Sequence, residues 1–279
     1  MERVKNFQIR GVPGTVSRLN FDGRLVDFWN PNAPTDHLLI AHDGQNIFDR
    51  STATRRSTWQ MAQSALRVSA ELGITPPAII GIFHSRSAMN PWGRILDLSP
   101  QDPFQNGVVS PEVNEEISVE NLRGNFYLEQ ITEVIAPEIC HELNLNIDRL
   151  DKAVIGSSMG GLASLYAIGK RPDFFGTALA LSPHWPAGEF PLVDALLDSI
   201  PKPGRHKIWM SRGTRGRDRE YEIFQDYADQ RMIQSGWQEG DDFITRVYKK
   251  SGHNEKSWAR YLDQPMKFWL DSDFRASGV

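Results

Sequence analysis

The segment Gly156-Ser157-Ser158-Met159-Gly160 joins an apolar, β-branched run, KAVIGS, to a helix-period stretch, LASLYAIG. A serine on a sharp strand-to-helix turn stands clear of the backbone while its neighbours press against adjacent chain. Glycine suits both flanks, because it has no Cβ to obstruct that approach. Ser158 is therefore the candidate nucleophile, and Ser157 faces away as a packing residue. The same turn aims the first helix amides at a reacting carbonyl, which makes the N–H of Met159 a candidate donor to a tetrahedral oxyanion.

A serine hydroxyl is a poor nucleophile at neutral pH without an imidazole to take its proton. Among seven histidines, His253 lies in VYKKSGHNEKSW, after the last candidate strand and before the last helix. Serine hydrolases built on such a turn place the base there, with the acid between the two. His37 and His42 precede the nucleophile, His84 and His206 flank strands and His141 lies on a helix, so these are expected to be structural or solvated. His184, in SPHW, is a candidate pocket residue. The imidazole needs an anion to hold its tautomer, and GTRGRDREYE offers Asp218, Glu220 and Glu222. Asp218 precedes the predicted helix and is preferred; Glu220 stays open as the alternative.

Those residues need a scaffold that gathers positions 158, 218 and 253. Short apolar runs alternate with helix-period segments, the pattern of a mostly parallel sheet covered by helices. VSRLNF and RLVDFWN flank Asp22-Gly23 and predict a hairpin. HLLIAH, AIIGIFH, KAVIGS, TALALS, KIWMSR and ITRVYK complete eight candidate strands. Helices are predicted over 125–143, 159–170, about 219–235 and about 255–270, with Pro137 expected to kink or shorten the first. Residues 85–120 fit neither period and carry Pro91, Trp92, Pro100, Pro103, Phe104 and Pro111. That stretch is read as a substrate-side insertion in a single domain spanning 1–279. Trp92 and Trp185 are candidate apolar pocket walls.

Composition narrows the partners. A net charge of −4 and a pI near 6.0 give no global positive field for nucleic acid or an anionic membrane. The longest apolar run, AIIGIF, is far too short to span a bilayer, and MERVKNFQIRGV lacks a signal-peptide run. Cys140, the single cysteine, has no partner for an intramolecular disulfide and is expected in the core. A reduced, cytoplasmic protein is the expectation. His42, Asp43 and Asp49 stand near one another, but no cysteine cluster or H-E-x-x-H spacing supports a metal site, and no metal or other cofactor is expected. Arg212, Arg215, Arg217 and Arg219 crowd around Asp218, either as a solvated loop or as a patch for an anionic substrate group.

With these residues assembled, the chain resembles the esterase branch of the α/β-hydrolases, which holds esterase D, feruloyl esterases, enterochelin esterase and the mycobacterial mycolyltransferases. The resemblance covers roughly residues 35–270 and rests on HDGQNIFD at 42–49, GSSMGG at 156–161, LSPHW at 181–185 and GHNEKSW at 252–258. It implies an α/β-hydrolase fold with an about eight-stranded, mostly parallel sheet flanked by helices. It also implies Ser158 as nucleophile, Asp218 as acid and His253 as base. Gln45, third residue of the Asp43-Gly44-Gln45 turn, is implied as the second oxyanion amide beside Met159. The stretch from Arg94 to Pro100 is similar to a family R-x-x-E-Y-x-P motif, with Asp97 and Leu98 in place of the usual Glu and Tyr, and marks Arg94 as a candidate substrate contact. The implied activity is hydrolysis of a small-molecule carboxylic ester through an acyl-enzyme. Acyl transfer to an alcohol, or a non-catalytic binding role on the same fold, are the alternatives, and the oligomeric state is open.

Overall fold

The computed structural model describes residues 1–111 and 117–272; residues 112–116 of the 85–120 segment, and 273–279, lie outside the described residues. All eight apolar runs form strands: β2 (Thr15–Phe21), β3 (Arg24–Asn30), β4 (Leu38–Ala41), β5 (Ala78–Ile82), β6 (Lys152–Ser157), β7 (Thr177–Leu181), β8 (Lys207–Arg215) and β9 (Phe243–Gly252). A ninth, β1 (Glu2–Phe7), is invisible to hydrophobic patterning because it is almost wholly exposed at the sheet edge. The order is β1-β2-β3-β5-β4-β6-β7-β8-β9. The first three pairings are antiparallel and the remaining five are parallel.

Asp22 and Gly23 both take positive φ, 50° and 91°, which matches the twist a two-residue hairpin needs. The hairpin register sets Arg18 opposite Asp27, and the two form a buried two-pronged ion pair with both contacts at 2.7 Å. The central strands are buried on both faces, and their side chains divide by alternation. Leu38, Ile40, Val154, Ala178 and Ala180 pack on one side; Leu39, Ala41, Ile155, Leu179 and Leu181 pack on the other.

Ten α-helices are seen among the described residues: α1 (Met61–Leu72), α2 (Gly93–Leu98), α3 (Gln101–Gln105), α4 (Gly124–Glu129), α5 (Ala136–Glu142), α6 (Met159–Lys170), α7 (Glu189–Ser199), α8 (Glu222–Gln234), α9 (Glu255–Tyr261) and α10 (Asp263–Leu270). Residues of α4 to α8 contribute to the first core layer; α1, α9 and α10 contribute to the second. Helix α6 has the predicted limits. The predicted 125–143 helix is not cut at Pro137. A π turn over Gln130–Ile135 leads into α5, and this wider winding relieves the clash a proline ring makes with a carbonyl one α-turn earlier. Helix α7 escapes sequence patterning because Pro191 reads as a breaker. Pro191 stands in its first turn, where the missing N–H has no intrahelical partner to lose. Helices α2 and α3 sit inside the 85–120 segment and are too short to display a period. Among the described residues no helix is long and apolar enough to cross a membrane.

Parallel strands gather their C-terminal ends on one edge, where open α/β sheets bind ligands. Here that edge carries Asp43 to Gln45 after β4, Ser158 after β6, Ser182 to His184 after β7, Asp218 after β8 and His253 after β9. The β4 turn depends on Gly44: a Cβ there would lie 2.3 Å from the carbonyl carbon of Gly81 in the middle of β5. Both partners are backbone and cannot swing aside. Gly44→Ala is expected to cost about 1–3 kcal/mol through overpacking, read as a lower midpoint in equilibrium urea unfolding; an unchanged midpoint would refute that close packing.

Candidate active site

Ser158 takes φ 57° and ψ −123°, a conformation that costs a non-glycine residue on the order of 1–3 kcal/mol. The neighbouring backbone holds it there. Its N–H donates to the Leu181 carbonyl at 3.0 Å, and its own carbonyl accepts from Gly161 at 2.9 Å and His184 at 3.2 Å. Gly156 is obligatory, since a Cβ would fall 2.3 Å from the Gly160 carbonyl oxygen. Gly160 is less constrained, its nearest prospective contact being His42 Cβ at 3.3 Å. Ser158 is half-buried while Ser157 is buried, so the turn presents Ser158. Met159 opens α6, and its N–H has no carbonyl one turn behind it to bond.

Strands β8 and β9 run side by side to their ends, pairing Arg215 with Gly252. The Gly216–Arg219 turn then delivers Asp218, and the first residue after β9 is His253. His253 Nδ1 lies 2.6 Å from Asp218 Oδ1. The other oxygen, Oδ2, accepts from the Gly213 N–H at 2.8 Å and the Ser182 hydroxyl at 3.1 Å. Ser182 is in turn steadied by the indole N–H of Trp258 at 3.3 Å. Asp218 is fully buried and Glu220 is exposed, so of the two acids left open by the sequence it is Asp218 that meets the imidazole. Tyr221 and Trp258 stand edge-on to the His253 ring, with centroids 5.4 Å and 5.0 Å away.

The β4 turn brings a second polar group. Asp43, at φ 55°, receives a two-pronged hydrogen bond from Arg94 at 2.8 and 2.7 Å. Burial works against the Asp43 charge, yet the adjacent guanidinium keeps its carboxyl below the usual range. Gln45 is buried in the turn that follows, with its carbonyl accepting from the Thr52 hydroxyl at 2.9 Å. His42 is sealed beneath. Its Nδ1 shares a 2.8 Å hydrogen bond with the Tyr127 hydroxyl, and burial pushes its pKa down to about 4. Asp49 is held by Ser51, Lys5 and Arg18, so His42, Asp43 and Asp49 each face other protein groups.

Two cavities meet at Ser158. The smaller, about 250 Å³, has walls from Ile95, Phe104, Ile117, Val119, Leu122 and Met159, and also touches His184. Much of this wall comes from the 85–120 segment. The larger, about 580 Å³, includes Gln45, His84, Ser158, His253 and several arginines, and Arg94 and Arg217 border both. Ser158, His253, Asp218, Met159, Gln45, Arg94 and His184 are thus gathered at one edge. Trp185 and Trp92 are not. Trp185 is a core residue whose indole N–H donates to Gln225 at 3.0 Å, and Trp92 precedes α2 without contributing to either cavity wall. Asp97, at the departure from the family motif, is buried and anchors its segment by accepting from Arg24 at 3.0 Å and the Ser85 N–H at 2.8 Å. Cys140 is half-buried against the first core layer. Sequence reasoning missed Ser182 and Trp258 as the surroundings of the His253–Asp218 pair, although both lie inside the quoted motifs. It also missed the Arg94–Asp43 and His42–Tyr127 pairings. Those join segments far apart in the chain, and no local signal announces them.

The sheet order, the Ser158 turn and the Asp218–His253 pair at the strand ends define the α/β-hydrolase fold. Residues 101–269, more than half of the chain, match the family model described as "Putative esterase", and the chain belongs to that esterase family. It is 28% identical over 155 residues to the uncharacterized protein YbbA of Bacillus subtilis, covering 53% of this chain and 60% of that protein. Among solved structures it is similar to the enterobactin esterase FES of Shigella flexneri, with a TM-score of 0.66, 15% identity, and coverage of 94% of this chain and 60% of that one. It is also similar to the BES protein of Bacillus cereus, with a TM-score of 0.63, 16% identity, and coverage of 95% and 99%. The match thus spans about 60% of the length of both the Bacillus subtilis and the Shigella proteins. At these identities the structural likeness speaks for the fold.

The buried His42 has a consequence for stability. Its folded pKa, about 4, lies below the ordinary 6.5. Between those values the unfolded chain binds a proton that the folded protein refuses, so stability falls as pH falls through this window. The full difference amounts to about 3 kcal/mol. His42→Asn, which retains a polar atom for Tyr127, is expected to be less stable at pH 7 but to lose less between pH 6.5 and 4 in urea unfolding. Parallel pH dependences would show that His42 titrates freely.

Proposed function

We propose that the protein is a serine esterase that hydrolyses a small-molecule carboxylic ester through an acyl-enzyme. The observation that carries this reading is the His253–Asp218 pair, whose buried carboxylate has both oxygens occupied, opening into the same cleft as the strained Ser158 turn. Family membership supports ester hydrolysis as the chemistry.

On this reading His253 Nε2 takes the Ser158 Oγ proton as the oxygen attacks the ester carbonyl. The N–H groups of Met159 and Gln45 receive the negative charge on the tetrahedral oxygen, a contribution that oxyanion donors make in proportion to their preorganisation. Asp218 fixes the imidazole tautomer and stabilises its cation. Collapse breaks the C–O bond to the alcohol, which leaves with the proton from His253. A water then attacks the acyl-enzyme, giving its proton to His253, and the acid departs as His253 returns that proton to Ser158 Oγ. The 85–120 segment serves as the substrate-side insertion of a single domain, shaping the apolar cavity and positioning Arg94.

Ser158→Ala is expected to lower kcat for a short p-nitrophenyl ester by about 10⁴-fold or more, and Asp218→Asn by about 10³–10⁴-fold, with Glu220→Gln close to wild type. A fluorophosphonate probe is expected to label the folded wild type at Ser158 and to leave the alanine variant unlabelled. Retained turnover in Ser158→Ala would end the serine mechanism.

A further inference from the structure

The two cavities that meet at Ser158 differ in character. The smaller has an apolar wall of Ile95, Phe104, Ile117, Val119, Leu122 and Met159, with serines, His184, Arg94 and Arg217 also lining it. The larger is lined by Arg55, Arg86, Arg215 and Arg217 in addition to Arg94. Arg94 is neutralised by its two-pronged bond to Asp43. The other four are exposed, and none of them is paired with a carboxylate among the described residues. Against them the cleft holds one further carboxylate, Glu255. The whole chain carries a net charge of −4, so this positive character is local, and it continues into a neighbouring pocket lined by Arg50, Arg55, Arg56, Lys256 and Arg260. Arg55 is, moreover, held in the left-handed region at φ 56°, and Arg56 beside it at φ 53°.

The position of the imidazole orients the substrate. The group that protonates the departing alkoxide must stand next to it. His253 lines the cationic cleft and is absent from the apolar cavity wall. The alcohol part of the ester therefore extends into the cleft and the acyl part into the apolar cavity. Building on the serine-esterase reading, we infer that the substrate is an ester of an apolar acyl group with an alcohol that bears an anionic oxyacid group, carboxylate or phosphate, received by Arg55, Arg86, Arg215 and Arg217. Guanidinium forks match the planar or tetrahedral oxygens of such groups, and a cleft lined by one sign of charge concentrates ligands of the other.

The test compares kcat/KM for butyryl esters of a neutral alcohol, a hydroxy acid and a phosphorylated alcohol, together with a reversed ester whose acyl part carries the carboxylate. The expected result is a preference of about 10-fold or more for an anion-bearing alcohol, lost between about 20 mM and about 500 mM salt as screening sets in. The better of the two anionic esters identifies the anion. The double substitution Arg55→Glu, Arg86→Glu is expected to collapse the anionic-to-neutral ratio, while Arg205→Glu, on an exposed loop outside the cleft, leaves it intact. Arg217 is spared because it adjoins Asp218. Equal rates on neutral and anionic alcohols, or a preference for the reversed ester, would overturn this substrate class while leaving the esterase reading standing. Absence of any Ser158-dependent turnover would overturn both. The salt dependence of the wild type decides the matter even if the double variant does not fold.

Discussion

A single buried carboxylate, that of Asp218, ties the C-terminal edge of the sheet together. A charge-bearing group out of contact with water is tolerable only when its oxygens are met by hydrogen bonds, and here they are met from three directions. Oδ2 is met by the Gly213 amide near the end of β8 and by Ser182 after β7, and Oδ1 by His253 after β9. Trp258, in α9, closes the set through Ser182. Four elements must dock in register before this carboxylate is satisfied. The orientation of the imidazole is therefore a product of the assembled sheet rather than of the loop that carries it.

The same edge stores backbone strain. Asp43, Ser158 and Ser182 follow β4, β6 and β7 and have φ of 55°, 57° and 45°. Non-glycine residues rarely occupy this region, and such outliers cluster where geometry is dictated by function. Each is over-determined by its surroundings: Asp43 by the Arg94 fork, Ser158 by bonds to Leu181, Gly161 and His184, and Ser182 by a 2.6 Å bond to the Ser211 carbonyl. Three adjacent strands thus end in bends that turn chemistry-bearing groups toward one space.

Among the described residues, the 85–120 segment is fastened to this edge by ion pairs rather than by a strand. Arg94 grips Asp43, and Asp97 is gripped by Arg24 of β3 and approached by Arg123 at 3.3 Å. Removing one partner of such a buried pair is far costlier than the pair's net contribution, because the remaining charge is left unmet. The replacement of a family Glu by Asp97 therefore preserves an anchoring carboxylate. Leu98, which follows it, is buried in the core.

Much was legible in the chain itself. Apolar runs flanked by turn residues marked eight strands, because central parallel strands must be hydrophobic on both faces. The exposed edge strand β1 left no such mark. Gly156 before Ser158 announced a turn that leaves no room for a Cβ, and the chain order of serine, acid and histidine pointed to residues 158 and 253, with Asp218 preferred and Glu220 open between them. What the sequence by itself determined was which residue types stand at the strand ends, since burial and backbone sterics leave a local imprint. Tertiary structure alone put Asp218 rather than Glu220 against the His253 ring, moved Trp185 into the core, joined His42 to Tyr127 and Arg94 to Asp43, and brought two cavities together at one serine. Those outcomes depend on which distant segments share a space, and pairing across long stretches of chain has no local signature to read.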